Sequence, residues 1–205
     1  MYIFMKRTID IVASFLLLFM LSPLLLFIML LIKVTSPGPV IFKQKRIGLN
    51  KKEFIIYKFR TMKIDTPSDM PTHLLKDENK CVTRIGAFLR KTSLDELPQL
   101  MNIFLGHMSF VGPRPALWNQ ADLILLRDRY SANSVRPGLT GWAQINGRDY
   151  ISIERKAFLD GEYIRRMNLK LDFYCLYKTV AKVLKEENVG YPLEAASLAG
   201  KDESL

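Results

Sequence analysis

The sequence predicts an α+β protein: an N-terminal helical segment suited to a membrane, then a mainly helical domain carrying one small β-hairpin. Three observations lead there. Residues 11–32 hold no charged side chain, and Ser14 and Ser22 are the only polar ones among them. Around residues 40–60 the chain alternates as strands do. From Leu94 onward apolar residues recur at threes and fours, the period of helices lying on a core.

Composition sets the outer bounds. The 205 residues include 30 Lys and Arg against 20 Asp and Glu, a net charge of +10, and 49% are apolar. A disordered acidic tail and a collagen-like chain are excluded, and the length allows one domain with its own core plus one extra segment. Cys81 and Cys175 make neither a disulfide framework nor a zinc pattern, and His73 and His107 add no ligand cluster, which suits a reducing compartment. A pI near 9.6 beside a mean hydropathy of +0.06 requires that charge and apolarity be segregated along the chain.

As one straight helix, the 22 residues from Ile11 to Ile32 would rise about 33 Å, enough for a hydrocarbon core of about 30 Å. The stretch is too long for a signal peptide and no small-residue cleavage site follows, so retention is expected. Ser22-Pro23 falls near its middle. Pro23 has no N–H for the Phe19 carbonyl, which predicts a kink or break. Lys6 and Arg7 precede the segment and Lys33, Lys43, Lys45 and Arg46 follow it, whereas a single crossing concentrates cations on its cytoplasmic side. An ordinary kinked span and a helix–break–helix hairpin returning to the leaflet it entered both remain open on these residues. Asp10, at the threshold of the hydrocarbon, is expected to pair with Lys6 and Arg7 on the same helix face, and Arg7 to be available to a lipid phosphate.

Residues 33–65 carry nine Lys or Arg against two acids, a juxtamembrane cluster attracted to anionic lipid. Val40–Phe42 and Phe54–Arg60 predict a hairpin turning through Gly48-Leu49-Asn50, and residues 64–80 a mobile loop. Helices are predicted over Arg84–Lys91, from Leu94 to a stop at Gly106, over Glu154–Met167 and over Leu171–Glu187, before a poorly ordered tail.

The chemistry concentrates in Thr92-Ser93-Leu94-Asp95-Glu96-Leu97-Pro98. Ser93 and Glu96 match a capping box, the structural explanation. Against it, Pro98 sits past the first turn and forces an irregular backbone. Adjacent carboxylates also point apart, so one can attack while the other holds a metal, and Arg90 and Lys91 would favour the ionised form. Downstream, Arg114 stands between Pro113 and Pro115, and residues 135–148 bring Arg136, Gly138, Thr140, Gly141, Trp142 and Arg148 into one loop-rich stretch suited to phosphates, with Trp142 able to stack on a base or pack in the core. Walker and Rossmann fingerprints are absent. Two acids, several arginine–glycine loops and a membrane segment together suit phosphoryl transfer at a membrane face. A non-catalytic anchored module binding anionic lipid or nucleic acid through residues 33–65 is the competing reading, and it leaves the acids without a role.

In order along the chain, Lys6-Arg7 with Asp10, Ser22-Pro23, Ser36-Pro37-Gly38-Pro39, Tyr57–Met62, Ser93–Leu100, Gly112-Pro113-Arg114-Pro115 and Arg136-Pro137-Gly138 through Thr140-Gly141 resemble the bacterial sugar transferase family, the monotopic phosphoglycosyl transferases. The resemblance runs to about Glu187 and implies a re-entrant membrane hairpin over residues 1–33, a cytoplasmic transferase domain over 34–188 and a tail over 189–205. It implies that Asp95 attacks the β-phosphate of a UDP-sugar, that Glu96 holds magnesium, and that undecaprenyl phosphate then accepts the phosphosugar. Lys58, Arg60, Arg90, Arg114, Arg136, Gly138 and Thr140 are the implied substrate contacts, and Arg7, Asp10, Ser22 and Pro23 the membrane-interface set. A minimal family member is implied, for which N-acetylated deoxysugars are the expected donors. It would sit at the cytoplasmic face of a bacterial inner membrane among inner-leaflet phospholipids, with no nucleic-acid partner and with a homodimer allowed.

Overall fold

A computed structural model describes residues 1–67, 81–147 and 151–185. Arg148, most of the loop expected over 64–80 and the expected tail lie outside these residues. The order is α1 (Tyr2–Met20), α2 (Ser22–Thr35), β1 (Ile41–Ile47), β2 (Glu53–Phe59), α3 (Arg84–Lys91), a 3₁₀ turn (Leu94–Glu96), α4 (Gln99–Leu105), β3 (Ser109–Val111), α5 (Ala121–Asp128), β4 (Gly138–Thr140), α6 (Trp142–Ile145), α7 (Ile153–Arg166) and α8 (Leu169–Leu184).

The apolar segment is two helices, α1 and α2, bent by 62° at Leu21. Among the described residues no single helix is long and apolar enough to cross a membrane. The break is local chemistry. Pro23 leaves the Phe19 carbonyl without its helical donor, and the Ser22 hydroxyl donates to that oxygen instead, at 2.7 Å. On the outer faces Phe4, Phe15, Phe19, Met20, Phe27 and Leu30 are exposed, while Asp10, Ser14, Ile28 and Ile32 turn toward the rest of the chain and are buried.

Asp10 does not pair with Lys6 and Arg7 as the helix spacing suggests, because tertiary partners outbid the short-range ones. Lys6 reaches Asp172 of α8 at 2.6 Å. Arg7 donates to the carbonyls of Ile103 and Phe104 at 2.7 and 2.9 Å. Asp10 accepts the Phe110 N–H of β3 at 3.1 Å. The start of α1 is thus bolted to three elements of the domain. At the other end of the segment, Arg60 donates to the carbonyls of Pro37 and Ser36, at 2.7 and 2.8 Å, just after α2.

β1 and β2 form the expected antiparallel hairpin, Ile41 opposite Phe59 and Ile47 opposite Glu53, turning through Asn50 and Lys51 in left-handed conformation. Phe54 and Ile56 of β2 pack on Leu100, Ile103 and Met108. Phe59 packs with Ile28, Ile32 and Leu89, so the strand bridges the domain core and α2. The helix expected from Leu94 to Leu105 is divided at Leu97-Pro98 into the 3₁₀ turn and α4, and Gly106 stops α4 at φ 89°. The sequence pattern predicts neither α5 nor the parallel pairing of β3 with β4: the apolar residues of α5 form one run, Leu123–Leu126, without helical spacing, and β3 and β4 have three residues each, too few to show a period.

Candidate active site

Asp95 and Glu96 sit on the 3₁₀ turn between α3 and α4. Ser93 enters that turn in left-handed conformation, φ 57°, and makes no side-chain cap. The capping-box explanation therefore fails, and the strained residue instead redirects the chain after α3 so that Asp95 faces inward, 9% exposed.

Three cations from three elements converge here. Lys58, from β2, meets Glu96 at 2.7 Å. Arg114 meets the same Glu96 oxygen at 3.2 Å. Arg90, from the last turn of α3, donates through Nε to the Thr61 hydroxyl at 2.9 Å. Burial pushes the Asp95 carboxyl above the usual carboxylate range, chiefly by desolvation, while Lys58 and then Arg90 and Arg114 pull it back down. A carboxylate in a dry, cation-lined turn suits attack on a phosphorus whose oxygens those cations receive.

The supports of these cations explain much of the surrounding sequence. Lys58 is held because Asn102, fully buried in α4, plays the part of a neighbouring strand: its Oδ1 accepts the Tyr57 N–H at 3.0 Å and its Nδ2 donates to the Ile55 carbonyl at 2.7 Å. Asn102 and Thr61 escape a reading of the sequence. An amide in the middle of the apolar pattern of α4, three residues after Gln99, is the available signal. Arg114 is held by its loop. The Gly112 N–H donates to Thr140 O and the Gly138 N–H to Pro113 O, both at 2.9 Å, an approach that a Cβ on either glycine would block. On its other side the loop meets Arg46, whose guanidinium reaches the Pro115 carbonyl at 3.0 Å.

The implied substrate contacts therefore divide. Lys58, Arg90 and Arg114 gather around the acids. Arg60 is buried and spends its Nη groups on the backbone after α2. Gly138 and Thr140 lie within β4, the Thr140 hydroxyl against that of Thr179 at 2.6 Å, and act by holding the arginine loop. Arg136 is at the far end of α4, its Nε donating to the Gly106 carbonyl at 2.8 Å. Trp142 packs in the domain and donates to Glu162 at 3.0 Å.

Among the described residues no group of three His, Cys, Asp or Glu could hold a metal. Magnesium characteristically binds one or two carboxylates together with substrate phosphates, and Asp95-Glu96 offers that partial set. The residues fit the ion on that condition.

The family model described as bacterial sugar transferase matches residues 1–186. The chain belongs to the bacterial sugar transferase family. It is 43% identical over 185 residues to an uncharacterized sugar transferase, EpsL, of Bacillus subtilis, covering 90% of each chain. It is 42% identical over 185 residues to the UDP-glucose:undecaprenyl-phosphate glucose-1-phosphate transferase of Escherichia coli, covering 87% of this chain and 40% of that one. It is also 38% identical to a UDP-N-acetylgalactosamine-undecaprenyl-phosphate N-acetylgalactosaminephosphotransferase of Aeromonas hydrophila, covering 89% of this chain and 44% of that protein. The chain thus spans less than half the length of the relatives whose names state a reaction.

Proposed function

We propose that this transferase moves a phosphosugar from a UDP-sugar to undecaprenyl phosphate, releasing UMP, through a covalent aspartyl phosphosugar. The observation that carries the reading is the buried Asp95 beside Glu96 with Lys58, Arg90 and Arg114 converging on them. The names of the relatives support the substrate classes.

In this mechanism an Asp95 oxygen attacks the β-phosphorus, an Asp95 O–P bond forms, and the bond from that phosphorus to the bridging oxygen breaks, UMP leaving with the oxygen and its electron pair. The undecaprenyl phosphate oxygen then attacks the same phosphorus and Asp95 departs as a carboxylate, so the kinetics are ping-pong. Arg90 and Arg114 receive phosphate oxygens, and the Lys58 charge favours the ionised form of Asp95 against the effect of burial. Glu96 would hold magnesium, which when bound supplies charge neutralisation to the diphosphate.

The bent segment is read as a re-entrant hairpin. Its first helix near the start (Lys6) and the residues just after its second (Ser36 and Pro37) are both tied to the same domain, whereas a single crossing would put its two ends on opposite sides. With cations on both flanks, this argues for a bacterial inner membrane with the domain on the cytoplasmic face.

The test is UMP release from UDP-sugars, an N-acetylated deoxysugar, glucose and N-acetylgalactosamine, with magnesium and undecaprenyl phosphate present or omitted. The expected result is a magnesium-dependent burst without acceptor and turnover with it. Asp95→Asn should abolish both and Glu96→Gln nearly so, with folding intact. Turnover retained in Asp95→Asn defeats the nucleophile assignment, and turnover with acceptor but no burst without it in the unaltered enzyme favours direct attack by the acceptor.

A further inference from the structure

Of the cations on this chain, Arg7 and Arg136 share a second position remote from the acids. Gly106 stops α4, and both guanidiniums converge on it. Arg136 donates through Nε to the Gly106 carbonyl at 2.8 Å, and Nη2 of Arg7 lies 3.1 Å from where a Gly106 side chain would begin. The two repel each other electrostatically. The nearby acid, Asp10, accepts the Phe110 N–H and offsets part of the Arg7 charge. No described residue accepts from the Nη groups of Arg136. The carbonyls at a helix C-terminus offer about half a negative charge, so even with Asp10 opposing Arg7 the two full positive charges leave a surplus there.

The surroundings say what kind of anion reaches this surplus. Leu105, Met101 and Phe104 of α4 are 53%, 42% and 38% exposed, and Phe104 stacks 6.0 Å from Phe15 on the outer face of the bent helix pair. The charge therefore stands at the edge of the apolar belt, where an anion carried on a hydrocarbon chain arrives with both parts matched. The seven residues of α4, rising about 10 Å, separate it from Asp95.

We propose that Arg7 and Arg136 form a binding site for a lipid phosphate, distinct from the donor-phosphate cations around Asp95. The phosphate belongs to a phospholipid headgroup or to a polyprenyl phosphate held before transfer, and only the second source rests on the proposed function.

The test titrates the full chain in dodecyl maltoside with dihexanoyl phosphatidylglycerol, farnesyl phosphate, farnesol and UDP, and needs no turnover. At least one phosphate lipid should bind and farnesol should not. Arg136→Gln should weaken that lipid about tenfold with UDP unchanged, since it removes a charge-assisted forked donor. Arg136→Lys, which keeps charge and loses the fork, should fall between, and it carries the test if Arg136→Gln does not fold. Preference for phosphatidylglycerol assigns a headgroup site, and preference for farnesyl phosphate assigns a holding site for the acceptor. Lipid affinity unchanged in both variants, equal loss of UDP affinity, or farnesol binding as tightly as the phosphates overturns the proposal. Absence of transferase activity leaves the phospholipid arm standing.

Discussion

Replacing Asp172 by leucine removes the acceptor on which the start of α1 depends. Its carboxylate receives Lys6 Nζ at 2.6 Å, the Tyr2 hydroxyl at 2.8 Å and the Tyr163 hydroxyl at 2.7 Å. Lys6 and Asp172 side chains are 17% and 9% exposed, so the pair is largely removed from water. Stranding one partner of a buried pair costs about 3–5 kcal/mol, and Lys6, with some access to solvent, belongs near the lower figure. Tyr163 is 2% exposed and would lose its charged acceptor, keeping a weaker 3.3 Å contact to the Val111 carbonyl, a penalty of about 1–3 kcal/mol. These losses share one hub and do not add fully, which leaves about 3–5 kcal/mol. For a chain of this size that lowers Tm by about 6 °C or more. The assay is thermal unfolding in lipid nanodiscs, followed by tryptophan fluorescence. The double variant Lys6→Met, Asp172→Leu should recover much of the loss, because an apolar pair replaces the ionic one without an orphaned charge. A fall below about 2 °C in the single variant, or a double variant as unstable as the single, would refute the weld between α1 and α8.

Three further expectations follow from the same geometry. Arg127 of α5 and Asp160 of α7 form a buried pair, 6% and 2% exposed at 2.6 Å, so Asp160→Asn should cost about 3–5 kcal/mol in denaturant unfolding, and a loss no larger than that of a surface substitution counts against it. The Cys175 thiol is fully buried and pushed up to about 12, by burial and then by the Asp172 charge, so at pH 8 a maleimide should label Cys81 and spare Cys175 in the folded protein. In a cysteine-free background, Ile3→Cys and Val34→Cys, at positions 59% and 76% exposed, should be labelled from the same side of sealed vesicles. Labelling from opposite sides restores the ordinary span.

The motifs, the apolar segment and its break, the β-hairpin and the acid pair were all legible in the sequence. Each depends on neighbours within a few residues: a proline that cannot donate, alternation along a strand, two carboxylates on one turn. Ser22 answering the Phe19 carbonyl is the same physics at finer detail. The partners of the charges were not legible. Helix spacing paired Asp10 with Lys6 and Arg7, yet all three found partners about 100 residues away or more, because a packed domain supplies buried acceptors and donors that outweigh exposed neighbours on a helix.

The candidate site shows the same division. Sequence alone determined that Asp95 and Glu96 are adjacent and that basic, glycine-rich segments surround them. Which cations reach them was decided only when β2, α3 and the loop after β3 closed on the 3₁₀ turn, with Asn102 holding β2 in place and the Gly112–Gly138 contact holding Arg114. Arg136, read from its motif as one of that group, was carried instead to Gly106. Sequence order constrains distances over a turn or two of chain, and beyond that only the packing of buried surfaces determines which charges meet.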